Sequence, residues 1–112
     1  MNPPKRTVLV ATDAGISVRS LEDIPEVLGR SYGFDGLLLG EAELSPEFFD
    51  LRSGLAGELF QKCTNYRLSL ALVVPDPGAH GERFAELAFE HRTHRLIRFF
   101  GTLEEARAWL EE

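Results

Sequence analysis

The segment FFDLRSGLAGELFQKCTNYRLSLALVV, residues 48–74, contains the patterns that decide how this chain folds. Small residues are concentrated at Ser53, Gly54, Ala56 and Gly57, and from there Leu55, Leu59 and Cys63 recur about one helical turn apart. This spacing predicts an amphipathic helix, and the run LSLALVV that follows predicts a buried strand. A helix that leads into a buried strand is typical of α/β proteins with parallel sheets, because each helix crosses over the sheet between two strands.

The same alternation continues in both directions from this segment. Toward the N-terminus, TVLVAT and GLLLG predict strands with a helix between them, and ISVRS predicts a strand that pairs back on the first as a hairpin. Toward the C-terminus, ERFAELAFEH predicts a helix, RLIRFF a strand, and TLEEARAWLEE a helix that starts with a capping box of Thr102 and Glu105. The sequence therefore predicts one α/β domain over residues 1–112. It has a mostly parallel sheet, an N-terminal hairpin, about four helices and a disordered tail at residues 1–5.

Composition limits the class of protein and its compartment. The net charge of −6 argues against nucleic-acid binding, because binding to phosphates needs clustered Lys and Arg. No apolar run is long enough to cross a bilayer, and the start MNPPKRTVLVAT does not match a signal peptide. The single cysteine, Cys63, excludes an internal disulfide. We therefore expect a cytoplasmic protein that binds neither nucleic acid nor a membrane.

The sequence lacks the motifs of the common enzyme classes. It has no phosphate-binding loop, no dinucleotide fingerprint and no nucleophile elbow, so we expect no cofactor and favour a protein that is not an enzyme. His91 and His94 are three positions apart and His80 lies in a loop, but a catalytic zinc site needs a third ligand. The alternative is a helix C-terminus that carries cations, which the helix dipole favours. We predict no metal site.

The start of the helix in the opening segment supports two compatible interpretations. In the first, Ser53 caps the helix with its hydroxyl, while Gly54 and its small neighbours let the helix lie close to the sheet. In the second, the free amides and the helix dipole form an anion site, where a phosphate on Ser53 would be held by these amides and by Arg52. The candidate site consists of Asp50, Arg52, Ser53, Gly54 and Leu55.

Two further features are candidates for an interface. The run HRTHRLIR places Arg92 and Arg95 in a small basic patch on an acidic protein. It is either a docking surface for an acidic partner or a solvated loop beside an edge strand protected by charge. In the last helix, Leu103, Ala106 and Leu110 form the predicted inward face, and Trp109 lies at its margin, where an exposed tryptophan favours association.

The residues of the opening segment resemble two families. The segment, with the helix, strand and TLEEARAWL that follow, is similar nearly end to end to the small bacterial family called domain of unknown function 4180, most densely over residues 48–74. More distantly, the element order resembles the STAS domain, the anti-sigma-factor-antagonist fold. Ser53, Gly54 and Leu55 match the last three positions of its Asp-Ser-Ser-Gly-Leu segment, whereas Asp50 lies one residue further upstream than the family's aspartate. The resemblance implies a STAS-like α/β fold with Ser53 as phosphate acceptor.

Together these features lead to two hypotheses about function. The first is a non-enzymatic, bacterial, cytoplasmic protein-interaction module that is switched by phosphorylation at Ser53. Its partner is a protein such as a kinase or a regulatory factor, and the margin of the last helix also allows a homodimer. The alternative is a small anion-binding or ligand-binding protein, or an enzyme, that uses the cluster of Asp50, Arg52 and Ser53.

Overall fold

A parallel sheet of four strands forms the centre of the computed structural model, which describes residues 6–112. The strands are β1 (Val8–Val10), β2 (Gly36–Gly40), β3 (Ser69–Val73) and β4 (Ile97–Phe100). They lie side by side in chain order, β1-β2-β3-β4, and each neighbouring pair is parallel. The prediction of an α/β protein with a mostly parallel sheet is therefore confirmed. The predicted tail at residues 1–5 lies outside the described residues.

Six α-helices connect and cover these strands within residues 6–112. They are α1 (Ala11–Ala14), α2 (Ile24–Ser31), α3 (Pro46–Phe49), α4 (Leu55–Asn65), α5 (Glu82–Glu90) and α6 (Leu103–Glu111). The four longer helices are those that the sequence predicts. The other two, α1 and α3, are single turns after β1 and β2, where the chain leaves the carboxyl edge of the sheet.

The main core lies on one face of the sheet, beneath the helices that join consecutive strands. Leu37, Leu39, Leu70 and Leu72 point into it from β2 and β3, and all four are fully buried. Phe48 of α3 is also fully buried, and the rings of Phe49, Phe60 and Phe84 lie around it. Successive crossovers of one hand bring the connecting helices to the same face, which gives this face the larger core.

Helix α6 packs on the opposite face. Its Ala106 and Leu110 are fully buried against Leu38 and Ala71 of the central strands. A methyl group added at Gly36 would lie 2.8 Å from Cδ2 of Leu110, so the missing side chain at Gly36 allows this close approach. The predicted cap of α6 is confirmed, because the hydroxyl of Thr102 accepts the Glu105 N–H at 3.2 Å. The prediction that Leu103 faces inward is wrong, since its side chain is 47% exposed.

The predicted N-terminal hairpin is wrong. After β1 the chain forms the helical turn α1 and ends it at Gly15, instead of making a tight turn back along β1. The segment after Gly15 is extended, but Val18 forms an isolated parallel bridge with Leu44. The N–H of Val18 donates to the carbonyl of Glu43 at 2.8 Å. The apolar side chains of the predicted strand are buried in the main core, which explains their alternating pattern.

No helix in the described part of the chain is both long enough and apolar enough to cross a bilayer.

Candidate functional site

The chain segments that follow β2 and β3 meet at the carboxyl edge of the sheet and form a groove of about 1160 Å³. One wall comes from residues 41–52 and the other from residues 80–84. Parallel α/β proteins place ligand-binding groups at this edge of the sheet. The groups in this groove that can carry charge are Glu41, Asp50, Arg52, His80, Glu82 and Arg83.

His80 connects the two walls of the groove. Its Nε2 makes a hydrogen bond with the carboxylate of Glu41, which directly follows β2. The imidazole also stacks on the ring of Phe49, with centroids 3.6 Å apart and planes inclined by 8°. Phe84 meets it edge-on, with centroids 5.7 Å apart. The side chain of His80 is 22% exposed, so these contacts hold a mostly buried ring in one orientation.

The turn that precedes α4 places Ser53 at the surface beside this groove. Residues Leu51–Ser53 form one turn of 3-10 helix, and Gly54 then adopts a φ of +80° before α4 starts at Leu55. The Ser53 hydroxyl donates to the carbonyl of Glu47 at 2.7 Å and accepts the N–H of Leu55 at 3.2 Å. Ser53 is half-buried and is the last residue of the 3-10 turn, two positions before α4 starts. Its side chain thus joins the end of α3 to the start of α4.

The two predicted roles of this turn need correction in detail. The N-cap position of α4 is occupied by Gly54, one residue later than predicted, although the Ser53 hydroxyl still binds an amide of the first turn. A methyl group added at Gly54 or at Gly57 would meet no atom within 4 Å, so close approach to the sheet does not explain these glycines. The positive φ of Gly54 does explain that residue, because glycine adopts it without steric cost.

Asp50 and Arg52 bind each other at the edge of the groove. The carboxylate of Asp50 accepts the backbone N–H of Arg52 at 3.1 Å and its Nε at 3.2 Å. The side-chain hydrogen bond from Arg52 lowers the pKa of Asp50 below its usual value, and the same bond raises the pKa of Arg52. Both residues line the groove, whereas Ser53 does not. Within the predicted anion site, Asp50 and Arg52 therefore pair with each other, whereas the Ser53 hydroxyl bonds with backbone groups.

The three predicted interface residues have different surroundings. Arg92, just after α5, stacks on the exposed ring of Phe89, with its guanidinium carbon 3.8 Å from the centroid. Trp109 of α6 packs against Phe100 on the other face of the sheet. Arg95 is exposed in the loop before β4. Since α5 and α6 cover opposite faces, Arg92 and Trp109 lie on opposite sides of the sheet.

The histidine pair before β4 binds backbone groups. The Nδ1 of His94 accepts the N–H groups of Leu96 and Ile97, both at 3.1 Å, so its lone pair is already in use. His91 Nδ1 lies 2.8 Å from the carbonyl of Leu87, which can only accept. Burial lowers the pKa of His94, and the nearby His91 and Arg98 lower it further. Within residues 6–112, no group of three or more His, Cys, Asp or Glu side chains is placed to hold a metal ion.

Cys63 is fully buried in the main core, as its place in the apolar pattern of α4 indicates. Burial raises the pKa of its thiol to about 12. The reactive thiolate is thus strongly disfavoured at neutral pH.

Sequence reasoning missed a second groove at the amino edge of the sheet. Its volume is about 850 Å³, and α2, the end of α4 and the residues before β2 and β3 line it. Tyr32 is 91% exposed there and Tyr66 is 71% exposed. Tyr66 directly follows α4, which ends at Asn65, and its side chain turns outward. Sequence reasoning also missed the contact of His80 with Glu41, for which no local pattern exists.

The fold and the groove define an α/β protein with four parallel strands and a polar groove at the carboxyl edge of β2 and β3. A family model described as "Domain of unknown function (DUF4180)" matches residues 4–110, and the chain belongs to this family. No curated protein and no solved structure matches the chain.

Proposed function

We propose that this protein is a bacterial, cytoplasmic and non-enzymatic regulatory module, which binds a protein partner through the surface around the turn before α4. Phosphorylation of Ser53 controls this binding. The proposal depends on one observation: Ser53 is half-buried at the start of an eleven-residue helix, and its hydroxyl bonds with one group on each side of the turn. The resemblance of Ser53, Gly54 and Leu55 to the STAS segment supports the same residue as the phosphate acceptor.

The hydrogen bonds of Ser53 suggest how a phosphate would act. The hydroxyl is the donor that joins the turn to the carbonyl of Glu47. A phosphate ester at Ser53 has no hydroxyl proton at this oxygen, so this bond is lost and negative charge is brought near a carbonyl oxygen. The connection between α3 and α4 must then rearrange. A modification of one side chain would thereby change the shape and the charge of the surrounding surface.

Two groups would stabilise the phosphate in its new position. The first turn of α4 provides free amides and the positive end of the helix dipole. Arg52 is 88% exposed and lies one position before Ser53, so its guanidinium can exchange the carboxylate of Asp50 for the phosphate. The modified turn would present a compact anionic surface where the unmodified turn presents a neutral ion pair.

Mass spectrometry tests the modification directly. Protein purified from its native host should contain a fraction with the mass of one added phosphate, and fragmentation should assign this phosphate to Ser53. Its absence from Ser53 under growth and stationary conditions would contradict the switch.

Partner binding is the second test. Wild type, Ser53→Ala and Ser53→Glu are compared as baits in the native host, with Ser20→Ala and Ser20→Glu as matched controls. Ser20 is also half-buried and precedes a helical turn, but that turn lies on another loop. We expect Ser53→Glu to lose or gain a partner, while wild type, Ser53→Ala and the two Ser20 variants all capture the same partners. Identical partners for Ser53→Ala, Ser53→Glu and wild type would refute the switch.

A further inference from the structure

We propose that the groove at the carboxyl edge binds a small organic oxyanion, which is a carboxylate or a phosphate ester attached to an apolar body. Nδ1 of His80 and the guanidinium of Arg83 are the groups that recognise the oxyanion. This site goes beyond the regulatory function proposed above, because it does not involve Ser53 and does not depend on its phosphorylation.

The first argument is the way in which His80 is held. A carboxylate only accepts hydrogen bonds, so Nε2 of His80 donates to Glu41 and Nδ1 is the nitrogen left for other partners. In the neutral ring Nδ1 carries only a lone pair, so it donates to a bound oxyanion when the ring takes up a second proton with the ligand. Stacking on Phe49 and edge contact with Phe84 prevent the ring from turning. Histidines that bind ligands or metals are commonly oriented in this way, with one ring nitrogen bonded to a carboxylate and the other presented to the site.

The second argument is that Nδ1 of His80 is accessible. No hydrogen bond from residues 6–112 reaches this atom. Over the same residues, every side-chain nitrogen or oxygen that is fully buried has a hydrogen-bond partner. Since Nδ1 has none, it must be open to solvent, and His80 lines the groove. The ring is therefore mostly buried, but its Nδ1 is not fully enclosed.

The third argument is the apolar lining, which suits an organic body better than a free inorganic ion. The volume of about 1160 Å³ is sufficient for a small organic ligand, since such sites usually measure about 300–1,000 Å³. The two walls contribute apolar side chains on both sides of His80. They are Leu44, Pro46, Phe49, Leu51 and Phe84.

The fourth argument is that the guanidinium of Arg83 is available to a ligand. Glu41 is bonded to His80, and Asp50 is paired with Arg52. Glu82 starts α5, where the positive end of the helix dipole stabilises its carboxylate. Arg83 is exposed and forms no salt bridge with any residue of the described chain. A guanidinium matches the geometry of a carboxylate or a phosphate with two parallel hydrogen bonds, so Arg83 supplies two donors for an anion.

The test is a titration of ¹⁵N-labelled protein followed by NMR, with benzoate, phenyl phosphate and benzyl alcohol as probes. Benzyl alcohol has a similar ring and no charge, so it measures the apolar contribution alone. We expect benzoate or phenyl phosphate to cause saturable shifts of the amides of residues 80–84 and of the His80 ring. Comparison of the two anions then identifies the preferred oxyanion. We expect benzyl alcohol to bind at least about tenfold more weakly, which is the smallest effect usual for a hydrogen bond to a charged group.

Variants assign the recognition groups. Arg83→Gln should weaken binding of the preferred anion at least about tenfold, whereas Arg95→Gln, an exposed arginine in the loop before β4, should leave it unchanged. His80→Phe keeps an aromatic ring for the stack on Phe49 and removes both nitrogens, and it should weaken binding similarly. Because His80→Phe also removes the bond to Glu41, its fold is checked by the dispersion of the same spectra.

Three results would overturn the proposal. The first is the lack of any saturable shift at the groove with benzoate and with phenyl phosphate up to about 10 mM, since affinities weaker than this are not those of a binding site. The second is equal binding of benzyl alcohol and the anions. The third is equal binding by Arg83→Gln and Arg95→Gln, which would remove the role of the charge.

Discussion

The close contact of α6 with β2 allows a sharp test of how the second face of the sheet is packed. Gly36 lies in β2, and a methyl group at this position would be 2.8 Å from Cδ2 of Leu110, which is itself fully buried. Gly36→Ala should therefore overpack this contact and lower the free energy of unfolding by about 1–3 kcal/mol. Leu110→Ala should lower it by about 2–5 kcal/mol, because it removes a buried side chain and leaves a cavity.

The double variant, Gly36→Ala with Leu110→Ala, should cost less than the sum of the two single variants. The methyl group at position 36 then lies in space that the leucine has vacated, so the clash disappears and part of the cavity is filled. We expect a coupling free energy of roughly 1 kcal/mol or more in this favourable direction, within the range known for residues in contact.

Equilibrium unfolding in urea measures all four free energies, and equal slopes against urea concentration would show that the comparison is valid. Leu103→Ala is the matched control on the same helix, because Leu103 is 47% exposed. Its effect should be small and should add to that of Gly36→Ala. Additive effects of Gly36→Ala and Leu110→Ala, within about 0.5 kcal/mol, would show that α6 does not approach β2 at this point.

Three further predictions concern other parts of the molecule. The pKa of His94 is lowered in the folded protein, so the unfolded chain binds a proton at a higher pH than the folded chain, and stability should fall as the pH drops below about 6.5. His94→Asn keeps a hydrogen-bond acceptor that does not titrate, so it should reduce this fall, measured as urea midpoints between about pH 7.5 and pH 5. An equal fall in both proteins would contradict this role. Phe48→Ala should lower the free energy of unfolding by about 3–5 kcal/mol, whereas Phe89→Ala, at a residue 63% exposed, should change it by less than about 1 kcal/mol. If the two variants lost similar free energies of unfolding, Phe48 would not be central to the core. Cys63 is fully buried and its thiol pKa is raised to about 12, so iodoacetamide should label it in urea and hardly at all in the native protein. Rapid labelling of the native protein would show that the core opens around α4.

Features that depend on a few neighbouring residues could be predicted from the sequence. The cap at Thr102 is one of these, because its hydroxyl and the Glu105 N–H that it accepts are three positions apart. The amphipathic helix α4 is another, since its apolar residues recur about one helical turn apart. The parallel sheet could also be predicted, because a helix between two consecutive strands provides the crossover connection that parallel strands need.

The hairpin prediction shows where local reasoning stops. The alternating apolar residues of ISVRS correctly indicated an extended segment with one buried face, since Ile16 is 5% exposed and Val18 is fully buried. Alternation does not identify the neighbour that a strand pairs with. The turn α1 carries the chain away from β1, and Val18 meets Leu44 instead. The pairing partner was decided by the path of the chain in three dimensions.

The two candidate sites also differ in whether neighbouring residues or distant contacts define them. The sequence alone located the turn at Ser53, because glycine, serine and the apolar spacing after them mark the start of a helix within a few residues. It could not locate the groove, in which His80 bonds with Glu41 and stacks on Phe49. His80 and Glu41 are 39 positions apart and belong to loops after different strands. Local patterns determine where helices and strands start, whereas contacts between distant loops exist only after the sheet has brought the ends of its strands together.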